Sequence, residues 1–336
     1  MLIVGNDAVR QVLDGNEHAV LDAVRSAYRG HELGRSALPH SVFLRFPDDA
    51  RNRIIGLPAY LGGDDGGVAG MKWVASFPGN VAAGLQRASA TIVLNSMATG
   101  QPVAFLEGST ISARRTAASA ALAAATLRPS TEDTGLAVVG CGLINFEVLR
   151  FVRAVCPSLR EVTVFDLDPR RAAEFALRCD ADLEVRVVER IEDAVAAHRL
   201  VSLATTASTP HLDLGAFAPG TLVLHVSLRD ITIDGVLSAV NIVDDTDHVC
   251  RAATSLHLAE QHVGNRDFVS SSIGELLLTD TEHARDPEKV TLFSPFGLGV
   301  LDLAVADLVL REARAAGLGF DLPGFLPHPE PVTTNA

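Results

Sequence analysis

The chain has few cationic side chains for its length. Its 336 residues include 28 lysines and arginines against 41 aspartates and glutamates, which gives a formal net charge of −13 at pH 7. Surfaces that bind nucleic acid or an anionic membrane need a basic stripe that neutralises phosphates. The charge balance therefore argues against both kinds of partner, and simple solubility accounts for the acidity.

Cysteines and long apolar runs are also scarce. The four cysteines stand far apart, without a C-x-x-C pair or a histidine at zinc-ligand spacing, so neither a disulfide framework nor a metal site is predicted. No uncharged apolar run reaches the roughly 18 residues of a membrane span, and no basic segment with a long apolar core opens the chain. We expect a protein of the reducing cytoplasm that is neither exported nor embedded in a membrane.

Apolar residues, by contrast, make up 48% of the chain, enough for two domains with full cores. The most informative stretch is an apolar run that breaks into a glycine turn and resumes with helical spacing. Gly140 permits a tight turn, and Gly142 lets the backbone approach a pyrophosphate at the positive end of the following helix. The residues that open this helix are Leu143, Ile144 and Asn145.

An acidic residue follows the glycine turn at the distance expected in a dinucleotide site. Residues 162–165 predict a second strand, and Asp166 ends it about 20 residues beyond the turn. Its carboxylate would hold the ribose hydroxyls of NAD and repel the 2′-phosphate of NADP, for which Arg170 and Arg171 make a weaker case. We therefore predict NAD as the cofactor.

Strand and helix patterns alternate from residue 135 to about residue 244, which is typical of a doubly wound parallel (Rossmann) sheet. The preceding residues carry several β-rich runs and predict a mostly antiparallel or mixed sheet. A last helical pattern, at 298–316, is expected to return to this first part. The sequence thus predicts an α/β protein with a mixed α/β domain at 1–129, completed by 297–336, and a Rossmann NAD-binding domain at 130–296.

Segments on either side of the glycine turn resemble the ornithine cyclodeaminase and mu-crystallin family over nearly the whole chain. They are Met71-Lys72-Trp73-Val74, residues 111–118, and Ser294-Pro295-Phe296-Gly297 ahead of a helix near Leu301. Within the family, segments 41–47, 87–90 and 106–109 are similar to the branch of dehydrogenases that make 2,3-diaminopropionate for siderophores and peptide antibiotics.

The resemblance implies an NAD-dependent enzyme that dimerises through its first domain. Its expected reaction is the oxidative hydrolysis of N-(2-amino-2-carboxyethyl)-L-glutamate, an amino-acid-derived tricarboxylate, to 2,3-diaminopropionate and 2-oxoglutarate. An ornithine cyclodeaminase and a reductase of cyclic imino acids remain alternatives within the family. A mu-crystallin-like binding protein without turnover is an alternative of another class, against which the retained cations and Asp230 argue.

Three cations of the first domain stand in apolar or small-residue segments, where charges need anionic partners. The resemblance assigns Arg45, Lys72 and Arg115 to the substrate's carboxylates, and it leaves open whether Lys72 also takes part in catalysis by transferring a proton. An ion pair with a buried core acid is the alternative for Lys72 and Arg115 in particular. Arg35 is a further candidate because of its nearness to Arg45, although a surface charge explains it better.

Polar residues end the apolar run 222–226, at the sheet edge where open α/β sheets bind ligands. The resemblance makes Asp230 the general acid and base, while capping of the following turn is the alternative. Cyclodeaminases usually have a small or glycine-containing stretch after this aspartate. Here Ile231-Thr232-Ile233 follows, which counts against a proline-forming activity.

Several smaller polar residues are expected near the cofactor. Thr205 and Thr206 follow a predicted strand, and Thr116 lies at the start of an alanine-rich helix, although a Ser/Thr-rich turn explains such threonines equally well. His225 is predicted to be a satisfied strand histidine. Its backbone and that of Ser227 are expected to border the nicotinamide, and the resemblance adds Ser294 and Gly297 to the cofactor site.

Overall fold

The N-terminal part of the chain folds around one sheet, which we call the N-terminal sheet. The computed structural model describes residues 1–63, 66–129, 132–279 and 283–327, and the structural statements below refer to these. The elements of this part are β1 (Leu2–Val4), α1 (Asn6–Leu13), α2 (Glu17–Glu32), β2 (Ser36–Ala37), β3 (Val42–Phe46), β4 (Asp49–Leu61), β5 (Val68–Ser76), β6 (Ala88–Asn95), β7 (Pro102–Glu107) and α3 (Ser109–Thr126).

The rest of the chain forms a second sheet, which we call the parallel sheet, and then returns to the first. Its elements as far as the seventh helix are β8 (Leu127–Arg128), β9 (Gly135–Val139), α4 (Leu143–Val155), β10 (Glu161–Phe165), α5 (Pro169–Arg178), β11 (Glu184–Val187), α6 (Ile191–Val195), β12 (Leu200–Leu203), β13 (Leu222–His225) and α7 (Ile233–Ser238). The remaining elements are β14 (Val240–Val243), α8 (Thr246–Val249), α9 (Ser255–Val263), β15 (Val269–Ser272), α10 (Ile273–Leu278), β16 (His283–Ala284), β17 (Thr291–Ser294), α11 (Gly299–Ala315) and β18 (Phe320–Asp321).

The N-terminal sheet is mostly antiparallel, as the sequence predicts. Its strand order is β18-β1-β7-β6-β5-β4-β2, β3 pairs with β4, and only the β1–β7 pair of these described strands is parallel. Side chains alternate between its faces because a strand has a period of two. In β5 this alternation leaves Met71 and Trp73 exposed and turns Lys72 into the interior.

The second sheet confirms the predicted doubly wound arrangement. Its strands lie in the order β11-β10-β9-β12-β13-β17-β14-β15, and every pair is parallel. All five residues of β9 are buried, as expected of a strand covered by helices on both faces. The strand order reverses beside β9, because β10 and β11 lie on one side of it and β12 and the later strands lie on the other. Ligands bind at such switch points in open α/β sheets.

Two helices bring the sheets together. α3 is rich in alanine and packs against both α2 and α4, because its small side chains permit close approach. α11 packs against α2, β4 and β5, and β18 adds to β1, so the end of the described chain completes the N-terminal sheet. Residues 64–65, 130–131, 280–282 and 328–336 of the predicted domains lie outside the described residues. Over the described part, no helix combines the length and apolar character needed to cross a bilayer.

Candidate active site

The glycine turn between β9 and α4 has the shape of a phosphate cradle. Gly140 has a φ of 90°, and a Cβ there would lie 2.5 Å from the carbonyl oxygen of Ala204, so only glycine fits. At Gly142 a Cβ would meet, among the described residues, only Nη2 of Arg171, at 3.5 Å. Protein packing therefore does not require glycine at position 142, and no side chain caps the start of α4. The open space and free helix N-terminus suit an anion.

Asn145 holds this turn in place rather than presenting its side chain to a ligand. Its Nδ2 donates to the carbonyl oxygens of Val139 and Gly140, at 2.8 Å each. Its Oδ1 accepts a hydrogen bond from the hydroxyl of Ser202 at 2.6 Å. Of the predicted cofactor residues Leu143, Ile144 and Asn145, the last can therefore offer only its backbone amide.

Asp166 lies directly against the glycine turn, at the end of β10. Its Oδ2 accepts the backbone N–H of Cys141 at 2.8 Å, and Nε of Arg171 is 3.7 Å from the same oxygen. Arg170 is instead exposed and is bound by both carboxylate oxygens of Asp168. Of the two arginines considered for NADP, only Arg171 lies beside the turn.

Asp230 is fully buried in the turn after β13 and is held by three side chains. The hydroxyls of Thr205 and Ser227 donate to its two carboxylate oxygens. Nε2 of His225 is 3.4 Å from Oδ2 and accepts the backbone N–H of Asp230 at 3.2 Å. Burial alone would raise the pKa of Asp230, but the adjacent His225 imidazole and the hydrogen bonds from the hydroxyls of Ser227 and Thr205 lower it to about 2.

These contacts revise the roles of several predicted cofactor residues. The side chains of Thr205 and Ser227 bind Asp230, and Ser294 pairs its hydroxyl with Nδ1 of His225 at 3.1 Å. The three residues thus position the carboxylate and its histidine. Thr206 is exposed, and its side chain forms no hydrogen bond within the described ranges.

A second buried group contains two of the predicted substrate-binding cations, Lys72 of β5 and Arg115 of α3. Nζ of Lys72 is 2.6 Å from Oδ2 of Asp302, and Nε of Arg115 donates to Oδ1 at 3.0 Å. Asp302, in the first turn of α11, has no exposed surface. The alternative of an ion pair with a core acid is therefore what the structure contains. Two cations share one carboxylate, so the group keeps one positive charge.

Burial and charge shift the pKa of each member of this group. Burial lowers the pKa of Lys72 to about 8, the charge of Asp302 opposes this shift and the charge of Arg115 adds to it. Burial would raise the pKa of Asp302, but the charges of Arg115 and Lys72 and their hydrogen bonds hold it below its ordinary value. Lys72 can therefore exchange a proton near neutral pH.

The segment from Ser294 to Gly297 connects the two buried groups. Gly297 has a φ of 93°, and a Cβ there would lie 2.7 Å from Nη1 of Arg115, so a larger residue would displace the guanidinium. Its N–H donates to Oδ2 of Asp244 at 2.7 Å. The missing side chain of Gly297 therefore leaves the space that the Arg115 guanidinium occupies. Thr116 bonds its hydroxyl to the carbonyl oxygen of Ser112 within α3, at 2.7 Å.

Arg45 and Arg35 lie far apart. Arg45 pairs with Arg53 at one end of β4 and lines a cavity of about 270 Å³ between the N-terminal sheet and the loops after β14 and β17. Arg35 is exposed beside Gly62 at the other end of β4, about 30 Å away at about 3.3 Å per residue. The structure does not bring Arg35 to the other predicted substrate-binding residues, because nearness in sequence across a loop does not fix position in a sheet.

Comparison with known proteins agrees with this architecture. The family profile described as "Ornithine cyclodeaminase/mu-crystallin family" matches residues 8–317. The chain belongs to this family. Among its curated relatives is N-((2S)-2-amino-2-carboxyethyl)-L-glutamate dehydrogenase of Staphylococcus aureus, 25% identical over 96% of this chain and 98% of the relative.

Solved structures from the family superpose over nearly the whole chain. An archaeal alanine dehydrogenase dimer with bound NAD is 26% identical, has a TM-score of 0.86 and covers 97% of this chain, which in turn covers 99% of it. The Δ1-pyrroline-2-carboxylate reductase of Thermococcus litoralis, solved with NADH and L-proline, is 23% identical with a TM-score of 0.88, over 96% of this chain and 100% of its own. The same fold is therefore present over nearly all of the described residues.

Sequence reasoning missed the role of two residues at the centre of the site. Asp302 stands on the apolar stripe of α11, and a carboxylate there is the signal of a buried charge that needs cations. His225 is a satisfied strand histidine, as the sequence predicts, but the sequence does not reveal that its partners are the backbone of Asp230 and the hydroxyl of Ser294.

Proposed function

We propose that this family member is an NAD-dependent oxidoreductase acting on the C–N bond of an amino-acid-derived substrate. More narrowly, we propose the oxidative hydrolysis of N-(2-amino-2-carboxyethyl)-L-glutamate to 2,3-diaminopropionate and 2-oxoglutarate, for siderophore or peptide-antibiotic synthesis. The observation that carries the proposal is the buried, ionised Asp230 at the same sheet edge as the glycine turn. A pure binding protein has no need of such a carboxylate.

The residues around the glycine turn fit NAD. The open space at Gly142 and the uncapped amides at the start of α4 suit its pyrophosphate, and Asp166 suits the ribose hydroxyls. NAD, when bound, accepts a hydride from the carbon that is oxidised. The archaeal alanine dehydrogenase, which was solved with bound NAD, supports this choice.

Asp230 supplies the proton transfers of the reaction. Asp230 is ionised at neutral pH. It is a weak base, so it takes the proton only as the water bonds to the electron-poor oxidised carbon, which makes that proton acidic. The same proton then passes to the nitrogen. As the C–N bond breaks, the hydroxyl left by the added water gives its proton to Asp230 and the carbonyl forms, and Asp230 passes that proton to the released amine and is ionised again. His225, Thr205 and Ser227 keep the carboxylate in one orientation throughout.

The Lys72–Arg115–Asp302 group supplies attraction for a substrate carboxylate. Its surplus positive charge lies in a buried setting, where a charge acts more strongly than in water. We assign to it the carboxylate attached to the carbon that is oxidised. Binding there would fix that carbon relative to Asp230.

We also propose that the protein is a cytoplasmic homodimer. The outer face of the N-terminal sheet exposes apolar side chains of β3, β5 and β7, which would be covered in a dimer. They are Val42, Leu44, Met71, Trp73 and Phe105. All four cysteines are free thiols, which suits a reducing compartment.

The proposed reaction is tested by mixing the purified protein with NAD and N-(2-amino-2-carboxyethyl)-L-glutamate. We expect reduced nicotinamide, measured by absorbance, to accumulate in step with 2-oxoglutarate. L-Alanine, L-proline and L-ornithine serve as competing candidates. No reduced cofactor with the tricarboxylate, together with turnover of one of the others, would replace the proposed substrate, and accumulation of proline from ornithine without net reduction would identify a cyclodeaminase.

The cofactor assignment predicts the effect of Asp166→Asn. This change keeps an acceptor for the Cys141 N–H but removes the charge that repels a 2′-phosphate, and Arg171 remains beside it. The preference for NAD over NADP, measured as the ratio of kcat/KM values, should fall about 10- to 100-fold. Glu174→Gln, an exposed change on the neighbouring α5, should leave the ratio unaltered. A ratio unchanged in Asp166→Asn would mean that the carboxylate does not face the ribose.

A further inference from the structure

Three arginines line up across one end of the N-terminal sheet. Arg45 in β3 lies directly opposite Arg53 in β4, and Arg53 lies opposite Ser76 in β5. Nη1 of Arg87, just before β6, donates to the hydroxyl of Ser76 at 3.0 Å. Like charges placed directly opposite each other destabilise a sheet. The three positive charges therefore lower the stability of the sheet unless an anion binds to them.

A fourth arginine approaches this row from the parallel sheet. Arg229 precedes Asp230, and its Nη2 donates to the carbonyl oxygen of Ala252 at 2.8 Å. Ala252 lines the same cavity as Arg45. Burial, then the charge of Arg53 and, more weakly, that of Arg45, lower the pKa of Arg229, while the charge of Asp230 opposes this shift. The row thus extends to the residue beside the proposed proton carrier.

None of these four guanidinium groups has an ion-pair partner in the part of the chain that the structure describes. Other arginines of the chain do form such pairs, for example Arg153 with Asp182 at 2.7 Å and Arg285 with Asp133 at 2.6 Å. Partial burial and the neighbouring charge of Arg45 lower the pKa of Arg53, and burial with the charge of Arg53 lowers that of Arg87. Crowded cations that form no direct ion pair in the described residues favour an anionic ligand.

The spacing between this row and Lys72 matches a ligand with separated charges. Lys72 pairs with Leu57 on the same strand as Arg53, about 13 Å away at about 3.3 Å per residue. Because side chains alternate along a strand, both lie on the inner face of the sheet. Between them the inner face carries the apolar side chains of Phe43, Ile55 and Val74, which stand opposite one another.

We propose that Arg45, Arg53, Arg87 and Arg229, which we call the arginine cluster, bind a substrate carboxylate remote from the carbon that is oxidised. The inference rests on the proposed function and adds to it three residues, Arg53, Arg87 and Arg229. The Lys72 group holds the carboxylate at the reacting carbon, the apolar row contacts the methylene groups and the arginine cluster holds the far end. The cluster thereby selects a substrate with several carboxylates over monocarboxylates such as alanine or proline.

Arg53→Gln tests this assignment in combination with truncated substrates. The variant should lower kcat/KM for N-(2-amino-2-carboxyethyl)-L-glutamate about 10- to 100-fold, mainly through KM, because a charge-assisted hydrogen bond is lost. N-(2-aminoethyl)-L-glutamate lacks the carboxylate of the diaminopropionate part, and N-(2-amino-2-carboxyethyl)-L-2-aminobutyrate lacks the glutamate side-chain carboxylate. The variant should cause almost no further loss with whichever analogue lacks the carboxylate that the cluster binds, which identifies that carboxylate.

Two control variants separate charge loss at the cluster from a general effect. Arg53→Lys retains the charge and should recover part of the affinity. Arg186→Gln removes an exposed arginine from β11, a strand of the parallel sheet, and should not change KM. Equal losses of Arg53→Gln on all three substrates, or no loss on any, would overturn the proposal.

A non-reacting ligand keeps the inference separate from the proposed function. Tricarballylate, titrated calorimetrically into the protein, should bind at least 10-fold more weakly to Arg53→Gln than to the parent chain or to Arg186→Gln. If no substrate is oxidised but this difference appears, the reaction is wrong and the anion site stands. If oxidation proceeds and both variants bind tricarballylate as the parent does, the site is wrong and the reaction stands.

Discussion

Replacing Asp230 by asparagine should lower kcat by between about 10²- and 10⁴-fold while leaving NAD affinity nearly unchanged. Asparagine has almost the same shape. Its Oδ1 can accept a hydrogen bond from one of the two hydroxyls that now donate to the carboxylate, those of Thr205 and Ser227, and its Nδ2 can donate to the other, but it cannot carry a proton between water and the departing nitrogen. The loss should appear in kcat and kcat/KM alike, because the proton transfer belongs to the transition state.

Turnover is measured by the absorbance of reduced nicotinamide, and NAD affinity by titration of the same preparation. Asp234→Asn is the matched control, since Asp234 is exposed on α7, close to Asp230 in sequence, and should retain full activity. Thermal unfolding verifies that both variants are folded. A folded Asp230→Asn protein that keeps more than a tenth of the parent's kcat would refute the role of Asp230 as proton carrier. In that case the alternative acid or base to examine is Lys72.

Replacing Asp302 by asparagine should lower the free energy of unfolding by about 3–5 kcal/mol at pH 7. The change leaves Lys72 and Arg115 buried without the carboxylate that both of them contact. Desolvation then opposes both charges without the negative charge that offsets it in the parent protein. A loss of this size is a large share of the total stability of an ordinary domain.

Urea unfolding at several pH values checks the cause of this loss. Asp302 raises the pKa of Lys72, so its removal moves that pKa below about 8, and the folded variant then binds fewer protons than its unfolded chain. Its stability should rise with pH in that range, so that the gap to the parent narrows towards pH 8. Asp307→Asn is the control on the same helix, because its exposed pair with Arg311 contributes under about 0.5 kcal/mol. If Asp302→Asn lowers the free energy of unfolding no more than Asp307→Asn does, Asp302 is not the counter-ion that stabilises Lys72 and Arg115 in the interior.

The sequence alone predicts the roles of residues that depend on the order of neighbouring elements along the chain. Gly140 and Asp166 belong to a strand, turn, helix and strand in sequence, and the parallel sheet was predicted from the same alternation. β17 was not predicted, because it inserts between β13 and β14 after a long excursion of the chain. Local periodicity contains no information about which strands become neighbours.

Charge partners were harder to predict than charges. Lys72 and Arg115 were singled out correctly as cations in apolar surroundings, yet their partner Asp302 lies far along the chain, and its pairing follows only from the return of α11. Arg53 went unnoticed for a similar reason. Only the register of the β3–β4 hairpin places it opposite Arg45.

The return of α11 and β18 to the N-terminal sheet determines when each half of the molecule can mature during synthesis. The strands of the parallel sheet all come from residues 135–294, so that sheet can form while the ribosome is still adding the last residues. The N-terminal sheet is completed later, because its edge strand β18 and the helix α11 that covers it are synthesised last. Throughout that interval Lys72 and Arg115 have no counter-ion, and the nascent N-terminal half keeps apolar surface open to chaperones.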